Sequence, residues 1–161
     1  MKMIFLTQGK VAIVDDADYD SLNQYKWYAD GKRGYFYAVR NSITVEGKKH
    51  IILMHRQILG LKRGDLRQGD HKDHDTLNNQ RSNIRICSCQ QNSRNQKILL
   101  NTSSRFKGVS WNKNAKKWSA SLKINGKKKH LGYWNIEEVA ALRHDMVAIR
   151  EHGEFAYLNF N

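Results

Sequence analysis

The chain has no proline, only two cysteines, and no long apolar run. Without proline there is no Pro-rich linker to stiffen or space domains. Cys87 and Cys89, two residues apart, cannot build a disulfide framework and are too close in one strand to bridge each other. No segment reaches the roughly 18 apolar residues of a membrane span, and residues 1–14 lack the apolar stretch and small-residue cleavage site of a signal peptide. These absences suggest a reduced, intracellular, cytoplasmic protein with no membrane partner. Acidic residues are scarce too, 15 against 28 Lys and Arg, for a formal charge of +13. The scarcity is local: residues 101–134 hold nine basic residues and no carboxylate, whereas residues 135–161 hold two basic and five acidic. A surface with no polyanionic partner mixes its signs, so the 101–134 segment reads as a face for nucleic acid. It is not an amphipathic helix, which argues against a membrane surface.

What is present is 161 residues, 40% of them hydrophobic, enough for one ordinary domain or two to three small ones. Residues 1–53 read as a small, mainly β module: loose alternation over 4–14, a helix start at Asp15-Asp16, and strands at 27–28, 35–39, 43–45 and 50–53. Within it, Lys32, Arg33 and Arg40 are basic residues free to add contacts to a polyanion. Residues 54–61 read as a short helix stopped by Gly60, whose His55 we assign to packing or a local hydrogen bond. The last third has the cleanest pattern. Three strands over 106–111, 117–124 and 128–134 are joined by turns at Lys113-Asn114 and Asn125-Gly126, the second a strong hairpin signal. Asn135 to Glu138 reads as a capping box opening a helix that stops at Gly153. Trp118, Ala120, Leu122 and Ile124 share one strand face, and Val139, Leu142, Met146 and Ile149 recur at helical spacing. We expect the two sets to pack together and leave the polar, basic sheet face open to the DNA major groove.

Residues 70–95 carry the chemistry. Asp70-His71 ends a strand, Asn83 opens another over 83–87, and Ser88 to Gln91 is a second capping box, placing Asn92 in the first turns of a helix. A carboxylate, an imidazole and an amide on a strand–loop–strand–helix unit suit phosphodiester hydrolysis. A hard cation takes oxygen ligands, for which Asp70 and Asn92 are candidates. His71 can take a proton from water, and Asn83 can hold the loop that aims it. His74 reads as an exposed loop residue. Cys87 and Cys89 form C-x-C rather than paired C-x-x-C motifs, so no structural zinc is expected.

Two resemblances follow from these residues. Asp70-His71, Asn83, Asn92 and the run Asn79-Gln80-Arg81-Ser82-Asn83-Ile84-Arg85 stand in the order of the HNH (ββα-metal) endonucleases, especially the small phage and homing enzymes. The likeness covers about residues 54–97, with Met54-His55-Arg56 resembling the segment that precedes the site. It implies a general base at His71, metal ligands at Asp70 and Asn92, a loop anchor at Asn83, and a divalent ion, Mg²⁺ or Mn²⁺. Residues 103–160 resemble the plant ethylene-response-factor (Apetala-type) DNA-binding domain through Phe106-Lys107-Gly108-Val109, Trp118-Ser119-Ala120, Leu131-Gly132-Tyr133, Glu137-Glu138-Val139-Ala140 and Leu158-Asn159-Phe160. That likeness implies double-stranded DNA contacts from Lys107, Ser110, Asn112, Ser121, Lys123, Lys128 and His130. Ser110 and Lys123 stand where that family has arginine, and His130 where it has tryptophan, so a different sequence preference is implied.

The expected architecture is α+β: a β-rich module over 1–53, a ββα nuclease core over 54–97, a linker over 98–104, and a three-stranded antiparallel sheet packed on one helix over 105–161. The function expected is a metal-dependent DNA endonuclease of a phage or mobile element, monomeric or homodimeric. A non-catalytic DNA-binding regulator is the alternative. An RNA-binding protein is less consistent with a sheet face lacking stacked aromatics.

Overall fold

The computed structural model describes residues 1–32, 35–43, 47–96 and 103–160. Arg33, most of the expected strand at 43–45 and most of the expected linker at 98–104 lie outside the described residues, as does the side chain of Lys32. The chain divides into two compact units, Met1–Cys89 and Gln90–Asn161. No described helix is long and apolar enough to cross a membrane.

The first unit opens with an antiparallel hairpin, β1 (Lys2–Phe5) and β2 (Val11–Val14), joined through a 3-10 turn at Thr7–Gly9. Alternation in β2 buries Ala12 and Val14. Helix α1 (Asp16–Asn23) follows, with Asp16 and Asp18 in its first turn. Strands β3 (Tyr28–Lys32), β4 (Tyr35–Ile43) and β5 (Lys49–Leu53) form an antiparallel sheet in chain order, so β5 is an edge. Helix α2 (Met54–Ile58) leads by a loop to the antiparallel pair β6 (Gln68–His71) and β7 (Ile84–Cys87). One core joins these pieces: Ile4, Ala12, Val14, Leu22, Trp27, Ala38, Met54, Ile58 and Ile84 pack together. The hairpin and the three-stranded sheet therefore share their apolar interior with α2 and β7, across the position where the sequence suggested a boundary at residue 53.

The second unit contains all of helix α3 (Cys89–Asn95) except its first residue, then β8 (Val109–Asn112), β9 (Lys117–Ile124) and β10 (Lys127–Trp134), an antiparallel sheet of order β10-β9-β8. The turn between β9 and β10 is two residues, Asn125 (φ 49°) and Gly126 (φ 79°), as the hairpin signal requires. A register shift between His130 and Gly132 bulges β10. Helix α4 (Glu137–His152) packs on the sheet and ends at Gly153, φ 56°.

Two expectations about α4 are corrected. The helix does not bury Val139, Leu142, Met146 and Ile149; these are exposed, Met146 to 64%. Its buried face is Ala140, Ala141, His144, Asp145, Val147 and Ala148. The sheet side already supplies bulk from Phe106, Trp118, Leu122, Leu131 and Trp134, so the helix presents small residues and lies close. His144 and Asp145 are satisfied there. The Asp145 carboxylate accepts from His144 Nδ1 (3.0 Å), Asn159 N (2.7 Å), Asn159 Nδ2 (2.8 Å) and Phe160 N (3.0 Å), tying the C-terminal segment to the helix. The Asn135 capping box does not form. The N-cap is Ile136, without a side-chain bond, and the Glu138 carboxylate accepts from Arg105 Nη2 at 2.8 Å.

Candidate active site and nucleic-acid interface

Asp70 and His71 are the last two residues of β6, paired across the ladder with Arg85 and Ile84 of β7. This register sets Asp70 opposite Arg85, whose Nε and Nη2 donate to Asp70 Oδ2 at 2.9 and 2.8 Å, with both side chains largely buried. His71 is buried as well, and its Nε2 lies 3.4 Å from Asn79 Oδ1. Burial lowers the His71 pKa, with Asn79, Asp73, Asp70 and Asp75 opposing the shift, so its ring is neutral near pH 7 and able to accept a proton.

The loop between the strands is held from inside by Asn83. Its Oδ1 accepts from Asp73 N (3.1 Å), its Nδ2 donates to Asn78 O (2.8 Å), and its own carbonyl accepts from Lys72 N (2.9 Å). Asp73 and Asp75 close the loop further by accepting from the backbone amides of Asp75 (2.8 Å) and Leu77 (3.0 Å). The N-terminal hairpin clamps the outside. Ile13 N donates to Leu77 O and Asn79 N donates to Ile13 O, at 2.9 and 2.8 Å. The Asp15 carboxylate accepts from Gln80 Nε2 and Arg81 N, which explains why Asp15 makes no cap bond to its own helix. Asp18 holds the Arg81 guanidinium at 2.8 and 2.7 Å.

His55, which sequence reasoning assigned to packing or a local hydrogen bond, is buried, and the ring it packs against is that of His71. Their ring centroids are 4.8 Å apart, nearly perpendicular, and Tyr37 lies 5.8 and 6.2 Å from the two rings. Burial, then the neighbouring His71 and Arg56, depress His55 to about 3. The Tyr37 pKa is raised by burial and by the Asp70 charge. The Met54-His55-Arg56 likeness was the signal for this residue, yet no spacing rule connects it to a site 16 positions later.

Asn92 lies on α3, as expected from the sequence, and belongs to the second unit. Among the described residues no three His, Cys, Asp or Glu side chains converge to hold a metal ion. The oxygen chemistry of Asp70 fits a hard cation that takes one or two protein ligands and fills its shell with phosphate and water.

In the second unit the register puts Ser110 opposite Ser119, Asn112 opposite Lys117, Ser121 opposite His130 and Lys123 opposite Lys128. Alternation sets them all on the face away from Ala120 and Leu122. Tyr133 joins this face, which the sequence reading had missed. Its ring centroid is 4.4 Å from His130, and its hydroxyl accepts from Asn112 Nδ2 at 3.3 Å. Ser119 Oγ lies 3.2 Å from His130 Nδ1. Lys107 is the exception among the expected contacts. It precedes β8, its Nζ donates to the carbonyls of Arg94 (2.6 Å) and Gln96, and burial lowers its pKa to about 8. Its ammonium is therefore engaged at the end of α3, not displayed on the sheet.

No family model matches the chain. Protein 3.8 of Escherichia phage T7 is 29% identical over 109 residues, covering 63% of this chain and 86% of the relative. An uncharacterized HNH endonuclease of Acanthamoeba polyphaga mimivirus is 33% identical over 156 residues, covering 94% of this chain and 76% of the relative. With that identity sustained along nearly its whole length, the chain belongs to the HNH endonuclease family.

Proposed function

We propose that the protein is a divalent-metal-dependent endonuclease that hydrolyses phosphodiester bonds of duplex DNA at a preferred site, in a phage or other mobile element. The observation that supports this reading is Asp70-His71 at the end of β6, beside a loop pinned by Asn83. His71, neutral and desolvated, takes the proton of the attacking water. Asn83 fixes the loop and, through it, the direction of the imidazole. Arg85 holds the Asp70 carboxylate in one orientation. A cation held by Asp70, with Asn92 as the second oxygen ligand of the family pattern, would supply stabilisation of the charge developing on the phosphate.

The second unit is the proposed reader. Its sheet face, with Ser110, Asn112, Ser121, Lys123, Lys128 and His130, enters the major groove in the manner of the ethylene-response-factor domains it resembles. Lysines at the DNA give an affinity that falls steeply with salt.

Supercoiled plasmid with Mg²⁺ tests the reading. Wild type is expected to nick or linearise it, and His71→Ala to lose on the order of 10²–10⁴ in rate. If both proteins bind the plasmid and both leave it intact, the chain is a DNA-binding protein without catalysis.

A further inference from the structure

The first unit also contains a groove of about 590 Å³ between β5 and residues 60–64, the segment after α2. Five cationic or imidazole side chains line it, Arg40, His50, Arg56, Lys62 and Arg63, and among the described residues no acidic one does. Two of the five are occupied. Arg40 donates to Gln57 Oε1 at 2.9 Å and lies 3.9 Å over the Tyr25 ring. Arg56 donates to the carbonyls of Lys62 (3.0 Å), Asp65 (3.5 Å) and Arg67 (3.1 Å), and so braces the wall of the groove. Lys62 and Arg63 are exposed, and their side chains make no hydrogen bond or ion pair among the described residues. The nearby Asp65 is already neutralised by Arg67 at 2.7 Å.

His50 supplies an independent sign. Its Nδ1 is the one buried side-chain polar atom among the described residues with no hydrogen-bond partner. A buried polar atom without a partner is costly and uncommon, and here it belongs to a side chain lining a cationic groove. Once the ring turns to expose it, Nδ1 in its protonated tautomer would donate to an anionic oxygen that Lys62 and Arg63 also hold. The groove is also coupled to the site through α2, which sends His55 to His71 and Arg56 and Gln57 to the groove. Residues 60–67 then run directly into β6 with Asp70 and His71.

We propose that this groove binds a phosphate of the DNA backbone through Lys62, Arg63 and His50 Nδ1, seating the duplex on the catalytic unit itself. The sheet face of the second unit is then not the sole DNA contact. The inference rests on the nuclease reading, and its test separates the two.

The full chain carrying His71→Ala binds a random-sequence duplex across a salt series, with and without Lys62→Ala/Arg63→Ala. Each neutralised phosphate contributes about 0.9 to the slope of log K against log salt, so a double substitution that removes this one contact is expected to flatten it by about 0.9. In the His71-containing protein the same pair, and separately His50→Phe, is expected to raise the KM for plasmid nicking by a larger factor than kcat falls. Circular dichroism melting at the wild-type temperature excludes misfolding as the cause. A wild-type slope and KM in these variants, with wild type itself binding and nicking, overturns this inference alone. Absence of both binding and nicking in wild type overturns the nuclease reading and this inference together.

Discussion

His55 and His71 meet edge to face, with ring centroids 4.8 Å apart and planes at 74°. Gly69 makes the approach possible. A Cβ on Gly69 would overlap the His55 ring and come within 3.2 Å of Leu59 Cδ1. Gly69 does not have a positive φ, so its glycine character is a matter of space and not of backbone conformation. Gly69→Ala should push His55 off β6 and release the neighbouring face of His71. Overpacking of this kind costs roughly 1–3 kcal/mol, readable by urea denaturation. Nicking should fall by at least tenfold, because a misdirected base acts poorly even when it is present.

The same pair makes stability depend on acid. His55 is depressed to about 3 by burial, His71 and Arg56; its ordinary value is about 6.5. Between those values the unfolded chain binds a proton that the folded chain refuses, so stability rises with pH there. It is fully present above about 6.5 and is lost progressively as pH falls toward 3. Urea midpoints at pH 7, 6, 5 and 4 should decline steadily in wild type. His55→Phe removes the titrating group and should flatten that decline, leaving the smaller share that His71 contributes by the same sign. Equal declines in the two proteins would place the acid sensitivity elsewhere.

Asn83 spans the loop with one acceptor and one donor, to Asp73 N and from Nδ2 to Asn78 O. Asn83→Asp keeps the acceptor and deletes the donor, so the Asn78 carbonyl loses its partner and faces a carboxylate. An unsatisfied buried group costs about 1–3 kcal/mol. The expected outcome is a lower melting temperature together with a loss of kcat greater than the rise in KM, since the loop aims His71 and is not itself assigned to DNA. Asn83→Ala, which loses both bonds, should be at least as severe on both measures.

The short-range features of this chain were legible in its residues. Asn125-Gly126 can form only a tight turn of positive φ, and it does. The alternation of 117–124 sorted Lys123 from Leu122 correctly, which is why the basic sheet face could be listed from sequence. Asp70 and His71 end β6 and Asn83 immediately precedes β7, neighbours because a local strand–loop–strand unit folds back on itself. What the residues did not reveal were partners distant in the chain. His55 faces His71 only because Gly69 has no side chain, and Lys107 turns to the carbonyls of Arg94 and Gln96. Asp15 and Asp18 do stand at the start of α1, as the sequence reading had it, but they also hold Gln80 and Arg81, more than sixty positions away. Pairings of that kind leave no periodicity to read.

Helix α4 shows the hardest case, because its apolar stripe is real and faces outward. Val139, Leu142, Met146 and Ile149 lie on the exposed side, while Ala140 and Ala141 are 0% exposed against Phe106, Val109 and Ala120. Hydrophobicity alone picks the larger residues for the core. Close packing on a sheet already filled by tryptophans selects the smaller ones. Ala141→Leu adds volume where none is available and should cost roughly 1–3 kcal/mol. Met146→Lys exchanges one exposed side chain for another and should stay within about 0.5 kcal/mol of wild type. Thermal unfolding of the full chain measures both. If Met146→Lys proved the more damaging, α4 would have to turn its apolar stripe toward the sheet, contrary to the packing described.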